Sequence, residues 1–292
     1  MWFITIPIII SFVLLILILY YLYKPSPLVS YYVNRMVPVS NFIHENVTEV
    51  SKHKYRNKEF NQYLLKHDNS TNLLIWIHGG AFIKAEPDSI LPYIGMIYDE
   101  LPGFDILVFD YPVIYNFTLF HTLEYIHETI EKYAKTEKYT NFIMGGDSAG
   151  IFYALVLLNI EHSISYAQQA NLKPLNINYK CLISTCGFFH SNQNELFKKI
   201  FKFYIGRGVS NLTHLSVNLI QIPSLLITSI NDFVYNQNVK FHRNNPQNTT
   251  LQVFDKKDTV LHNFMAYTGL PETQESVKMI KRFVDATLTP DF

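Results

Sequence analysis

Neither sign of charge prevails in this chain: 24 Lys and Arg stand against 24 Asp and Glu, with no long basic run. That disfavours nucleic acid as a partner, because a phosphate-binding face clusters Lys and Arg. Cysteine is scarce as well. Cys181 and Cys186 are the only two in 292 residues, and both fall in one predicted strand, Tyr179 to Cys186. Five steps along a strand separate them by about 16 Å and turn them to opposite faces, so they do not bridge each other. Cysteine content therefore says nothing about the compartment. No paired Cys/His spacing fits zinc, no Gly-rich loop after a strand fits a phosphate, and no internal repeat is apparent. No metal and no organic cofactor is implied.

Glycine is sparse too, at 11 residues, yet two of them flank a serine in Gly146-Asp147-Ser148-Ala149-Gly150. Asn141 to Met144 reads as a buried strand and Ala149 to Asn159 as an apolar helix. A serine on that strand-to-helix corner sits in a tight turn that small neighbours permit, which gives Gly146 and Gly150 a structural part. Its hydroxyl is held clear of the sheet, with the Ala149 N–H aimed at the same point. Asp147, the variable residue of the motif, is given no chemical role.

Upstream, Leu73 to Ile77 is a continuous apolar run that suits a central strand. His78-Gly79-Gly80-Ala81-Phe82 follows at once. Two glycines after a strand let the backbone turn N–H groups toward a ligand, so the amides of Gly79 and Gly80, with that of Ala149, are the expected oxyanion donors. His78 is read as a structural residue that fixes the loop. Between the two motifs lie a strand, Asp105 to Tyr111, and a helix, Phe117 to Tyr133, whose Leu119, Leu123, Ile126, Ile130 and Tyr133 step by three and four. Strands alternating with helices imply an α/β fold with a mostly parallel sheet, helices on both faces and a site at the carboxyl ends of the strands.

With His78-Gly79-Gly80 and Gly146 to Gly150 in place, the chain from about Thr71 onward resembles the α/β-hydrolase superfamily. Within it the resemblance is to hormone-sensitive-lipase-type esterases, which include membrane-anchored arylacetamide deacetylases and neutral cholesterol ester hydrolases. Ala81 stands where many relatives have a third glycine, and Pro112-Val113-Ile114-Tyr115 replaces their usual run after Asp110-Tyr111. The resemblance implies the chain order serine, acid, histidine. Ser224 to Ser229 reads as a strand with Asp232 just beyond it, so Asp232 is the expected acid. Leu251 to Phe254 gives one more strand, and His262, in the loop before the last helix, is the expected base for Ser148. His242 precedes that strand, and Asp255 and Asp258 sit where the family does not place its acid.

Trp2 to Tyr23 contains no charged residue, and at about 1.5 Å per residue it can cross a bilayer core of roughly 30 Å. Tyr20, Tyr21 and Tyr23 suit the interface, with Lys24 at the exit. A cleaved signal peptide would want a basic start, a shorter apolar region and a small-residue cleavage site. The reading is an uncleaved single-pass anchor over residues 1–24. Lys24 and Arg35 after the span weakly favour a cytosolic domain. Asn46, Asn69, Asn116, Asn211 and Asn248 each open a glycosylation sequon, and the resemblance to luminal deacetylases tips the expectation toward a catalytic domain in the lumen of the endoplasmic reticulum.

Residues 25–70 are expected to supply a membrane-proximal linker, the first strands and part of a cap, and residues 71–292 the catalytic domain. A cap insertion is expected at about 187–222. There Asn192 and Glu195 resemble a capping box, and Leu196, Phe197, Ile200, Phe201 and Tyr204 form one apolar stripe, the mark of a surface helix or a lid. The functional expectation is a membrane-anchored carboxylic ester hydrolase acting on apolar acyl or aryl esters, its partners a small-molecule ester or lipid and the bilayer. Acyl transfer or amide cleavage by the same triad, and a catalytically silent hydrolase-like binding protein, are the alternatives.

Overall fold

The computed structural model describes residue 14 and residues 47–84, 87–113, 117–136, 138–189, 220–255 and 260–289. The expected membrane span, the linker before residue 47, the amphipathic helix at 192–204, three of the sequons (Asn46, Asn116, Asn211) and Asp258 lie outside them. Among the described residues no helix is long and apolar enough to cross a membrane.

Eight strands form one sheet: β1 (Val47–Tyr55), β2 (Lys58–Leu65), β3 (Asn72–Ile77), β4 (Phe104–Phe109), β5 (Asn141–Asp147), β6 (Tyr179–Thr185), β7 (Ser224–Ser229) and β8 (Thr249–Phe254). Their spatial order is β1-β2-β4-β3-β5-β6-β7-β8. The β1/β2 and β2/β4 pairings are antiparallel, and β4/β3, β3/β5, β5/β6, β6/β7 and β7/β8 are parallel. This is the expected mostly parallel sheet. Strands β3 and β4 are apolar along almost their whole length because helices cover both faces, and all six residues of β4 are buried.

The helices are α1 (Leu91–Glu100), α2 (Leu119–Ala134), α3 (Ala149–His162), α4 (Ile164–Ala170), α5 (Tyr235–Asn244) and α6 (Pro271–Leu288). Thr118 starts α2 by accepting the His121 amide, and His121 returns the bond through its ring to the Thr118 amide, a reciprocal cap. Helix α3 is buried from Ala149 to Leu158, as a helix apolar on every side must be. On one face α1 meets α6, where the Tyr93 and Ser276 hydroxyls bond at 2.9 Å.

The chain leaves β3 toward β4 on one side and finds β5 on the other. Ligands of open α/β sheets lie in the crevice beyond the carboxyl ends of strands at such a reversal. Here that crevice is flanked by the loop after β3 and the turn after β5, and Ile77, the last residue of β3, pairs with Gly146.

Candidate active site

Ser148 sits between β5 and α3 with φ 47 and ψ −120, a strained backbone for a residue with a side chain, at a cost of about 1–3 kcal/mol. Packing imposes it. The Ser148 amide donates to Thr185 O at 3.1 Å, and Ser148 O accepts from the amides of Ile151 and Phe188 at 3.2 and 3.0 Å. The small flanking residues are there for space: a Cβ on Gly150 would stand 1.8 Å from Ile77 O, inside the β3 backbone. The turn is therefore pressed against β3, and the serine itself takes the positive φ.

The three side chains expected to act together do converge. Ser148 Oγ lies 2.9 Å from His262 Nε2, and His262 Nδ1 lies 2.8 Å from Asp232 Oδ1. A carboxylate only accepts, so Nδ1 carries the proton, Nε2 offers its lone pair, and the Ser148 hydroxyl donates to it. Asp232 follows β7 in a turn closed by its own amide to Ser229 O at 3.1 Å, and its Oδ1 also accepts the Val234 amide at 2.9 Å. Its side chain is fully buried, whereas that of His262 remains 22% exposed, open to a substrate. The His262 loop is anchored by Ser229 Oγ donating to Val260 O and by Thr273 Oγ1 donating to Phe264 O. Phe233 lies against the imidazole, ring centres 4.3 Å apart. The competitors stand elsewhere: His242 Nδ1 bonds Thr249 Oγ1 at 2.7 Å, and Asp255 is exposed at the end of β8.

The loop after β3, expected to hold the oxyanion, departs from expectation at one position. The Gly79 amide, expected among the oxyanion donors, donates instead to Asp147 Oδ2 at 2.9 Å. Gly80 and Ala149 keep amides that bond nothing among the described residues. Gly80 adopts φ 136, and a Cβ there would meet Lys84 O at 2.3 Å, so both conformation and space require glycine. Ala81 is left-handed, φ 50, which costs an L-residue about 1–2 kcal/mol and fits its place where relatives carry a third glycine. His78 holds the loop: Nδ1 donates to Gly79 O at 2.6 Å, its ring stacks on Tyr111 at 4.4 Å, and Tyr111 Oη donates to His78 O at 2.6 Å.

Asp147, passed over in the motif, is the residue that joins the two halves of the site. Its buried carboxylate accepts Trp76 Nε1 at 3.0 Å through Oδ1 and the Gly79 amide through Oδ2. Burial pushes its pKa up to about 6, and those two bonds oppose the rise. The signal for it is an acid beside Ser148 with a tryptophan in the neighbouring strand, legible only once β3 and β5 are paired.

A fold of this topology, with a serine on a strained corner, is that of an α/β-hydrolase esterase, and the chain is a carboxylic ester hydrolase. More narrowly, it belongs to the steryl acetyl hydrolase family, whose sequence model matches residues 6–171, more than half of the chain. No curated protein sequence matches it significantly. Among solved structures it is similar to esterase B from Lactobacillus rhamnosis inhibited by a tributyrin phosphonate, at 18% identity, 87% of this chain, 89% of that chain and a TM-score of 0.69. It is also similar to carboxyl esterase 2 from Tuber melanosporum (15% identity, 89% and 99% covered, TM-score 0.63) and to the Pyrobaculum calidifontis esterase (14% identity, 92% of each, TM-score 0.63). At these identities the likeness is one of fold.

Proposed function

We propose that this protein is a membrane-tethered serine hydrolase that removes short acyl groups from apolar, sterol-like alcohols. The observation that carries the reading is the hydrogen-bond chain from Ser148 through His262 to Asp232. In it, Ser148 Oγ attacks the ester carbonyl as its proton passes to His262 Nε2, and Asp232 steadies the imidazolium. The amides of Gly80 and Ala149 receive the oxyanion, each donor worth about 3 kcal/mol. His262 then gives its proton to the leaving alcohol, and water, deprotonated by His262, releases the acyl group and restores Ser148.

Two observations support the substrate class. Phe233 and Leu261, each next to a triad residue, are 68% and 56% exposed, an apolar rim on which an apolar alcohol can rest. The name of the family supplies the second, an acetyl ester of a sterol. The uncharged run Trp2–Tyr23 would hold the enzyme at the bilayer where such esters dissolve. Residues 187–222 would form the cap, and the domain would face the lumen, where exposed Asn69 is available as a glycosylation site.

The test is full-length protein in detergent, given steryl acetates and p-nitrophenyl esters of increasing acyl length beside Ser148→Ala. Release of acetate that disappears in the variant is expected. Equal rates for both proteins would refute the reading, and an unchanged mobility after glycosidase treatment would refute the luminal orientation.

A further inference from the structure

Asp232 uses its two carboxylate oxygens unequally. Oδ1 accepts from both His262 Nδ1 and the Val234 amide, whereas Oδ2 is buried and takes no hydrogen bond from any N–H or O–H. A bare buried carboxylate oxygen is costly. It also leaves the orientation of the carboxylate to the two bonds on Oδ1 alone.

Cys186 stands beside it and takes no part in the chemistry described above. It is fully buried just past β6, and its sulfur, an Asp232 oxygen and a His262 ring nitrogen lie within 4.8 Å of one another. Its backbone is held in the left-handed region, φ 48, with its amide donating to Ile227 O at 2.7 Å in the strand that leads to Asp232. The Asn263 N–H, one residue beyond His262, also faces the sulfur. Burial first, and then the charge of Asp232, push the thiol well above its ordinary value, so the sulfur keeps its proton and remains a donor.

We propose that Cys186 is a positioning residue of the triad, its thiol hydrogen donated to Asp232 Oδ2 while the sulfur accepts the Asn263 amide. One small neutral side chain thereby holds the aspartate and histidine loops in register. An S–H group suits the place: it is a weak donor that fills the space without adding a charge beside the carboxylate. The inference rests on the triad reading above.

The test compares the full chain with Cys186→Ala, Cys186→Gly and Cys186→Ser, with kcat expressed per active site titrated by a phosphonate. Poorly folded protein then drops out of the comparison, and two non-donor variants of different volume, both tolerant of the left-handed backbone, separate donation from packing. Cys186→Ala and Cys186→Gly should each lose about tenfold in kcat with KM unchanged. Their acid limb of kcat should move up by about half a pH unit, because a carboxylate without its second donor favours the imidazolium more strongly. Cys186→Ser, which restores a donor, should stay within about threefold of the parent and keep its acid limb. Parental kcat and acid limb in the Ala and Gly variants, or a serine variant as impaired as alanine, would overturn the inference. An inactive parent protein would instead overturn the hydrolase reading on which it rests.

Discussion

Asp147→Asn tests the link between the loop after β3 and the Ser148 turn. In the native protein each oxygen of Asp147 has one donor, Trp76 Nε1 or the Gly79 amide. Asparagine presents one acceptor and one donor to those two donors, so one of them faces an N–H and loses its partner. The change also removes a titration. Burial raises the native pKa of Asp147 from 3.8 to about 6, so the folded state holds this proton more tightly than the unfolded state. The associated stability is full below about pH 4 and is lost as pH rises through about 6. Between pH 4 and pH 7 it amounts to about 2 kcal/mol. Denaturant unfolding across that range should therefore show the parent losing about 2 kcal/mol relative to Asp147→Asn as pH rises. At pH 7 the variant should also turn over about tenfold more slowly, since losing either donor loosens the Trp76–Asp147–Gly79 link that ends one residue before Gly80. A stability difference that stays constant from pH 4 to pH 7 would refute the buried-carboxylate argument, and undiminished turnover would refute the coupling to the loop.

Asp232→Asn should leave KM unchanged and lower kcat on the order of 10³–10⁴-fold, because an amide no longer stabilises the imidazolium and can hold the wrong tautomer; steady-state kinetics checks it. Gly150→Ala places a methyl 1.8 Å from Ile77 O and should destabilise the fold by about 3 kcal/mol or more. Gly269→Ala meets nothing within 4 Å and should be close to neutral in the same unfolding assay.

The sheet was readable wherever burial made the sequence simple. Strands β3 and β7 lie where apolar runs put them, and α2 shows the three-and-four spacing with Thr118 as its start. The β1–β2 hairpin was not readable: its turn, Arg56-Asn57, carries no glycine although Arg56 is left-handed, and β1 is a mixed, largely exposed edge. Helices α1 and α5 were missed for related reasons. Helix α1 has no side-chain cap at its start, and α5 buries Gln237 and Asn238 beside Phe241. In the site, Ser148 announced itself because its whole context is local. Its partner His262 lies 114 residues away, and its position came from the chain order of a resembling family rather than from any local pattern. The Gly79 amide was misassigned for the same physical reason: its acceptor lies 68 residues along the chain, brought near only by the pairing of β3 with β5.

In the reaction proposed above, Ser148 Oγ is the nucleophile and His262 activates it. Reaction of the full-length protein with a fluorophosphonate, followed by peptide mass spectrometry, tests it most directly. A single adduct on Ser148 is expected, with labelling lost in Ser148→Ala and strongly slowed in His262→Ala. An adduct on another residue, or undiminished labelling of Ser148→Ala, would contradict it.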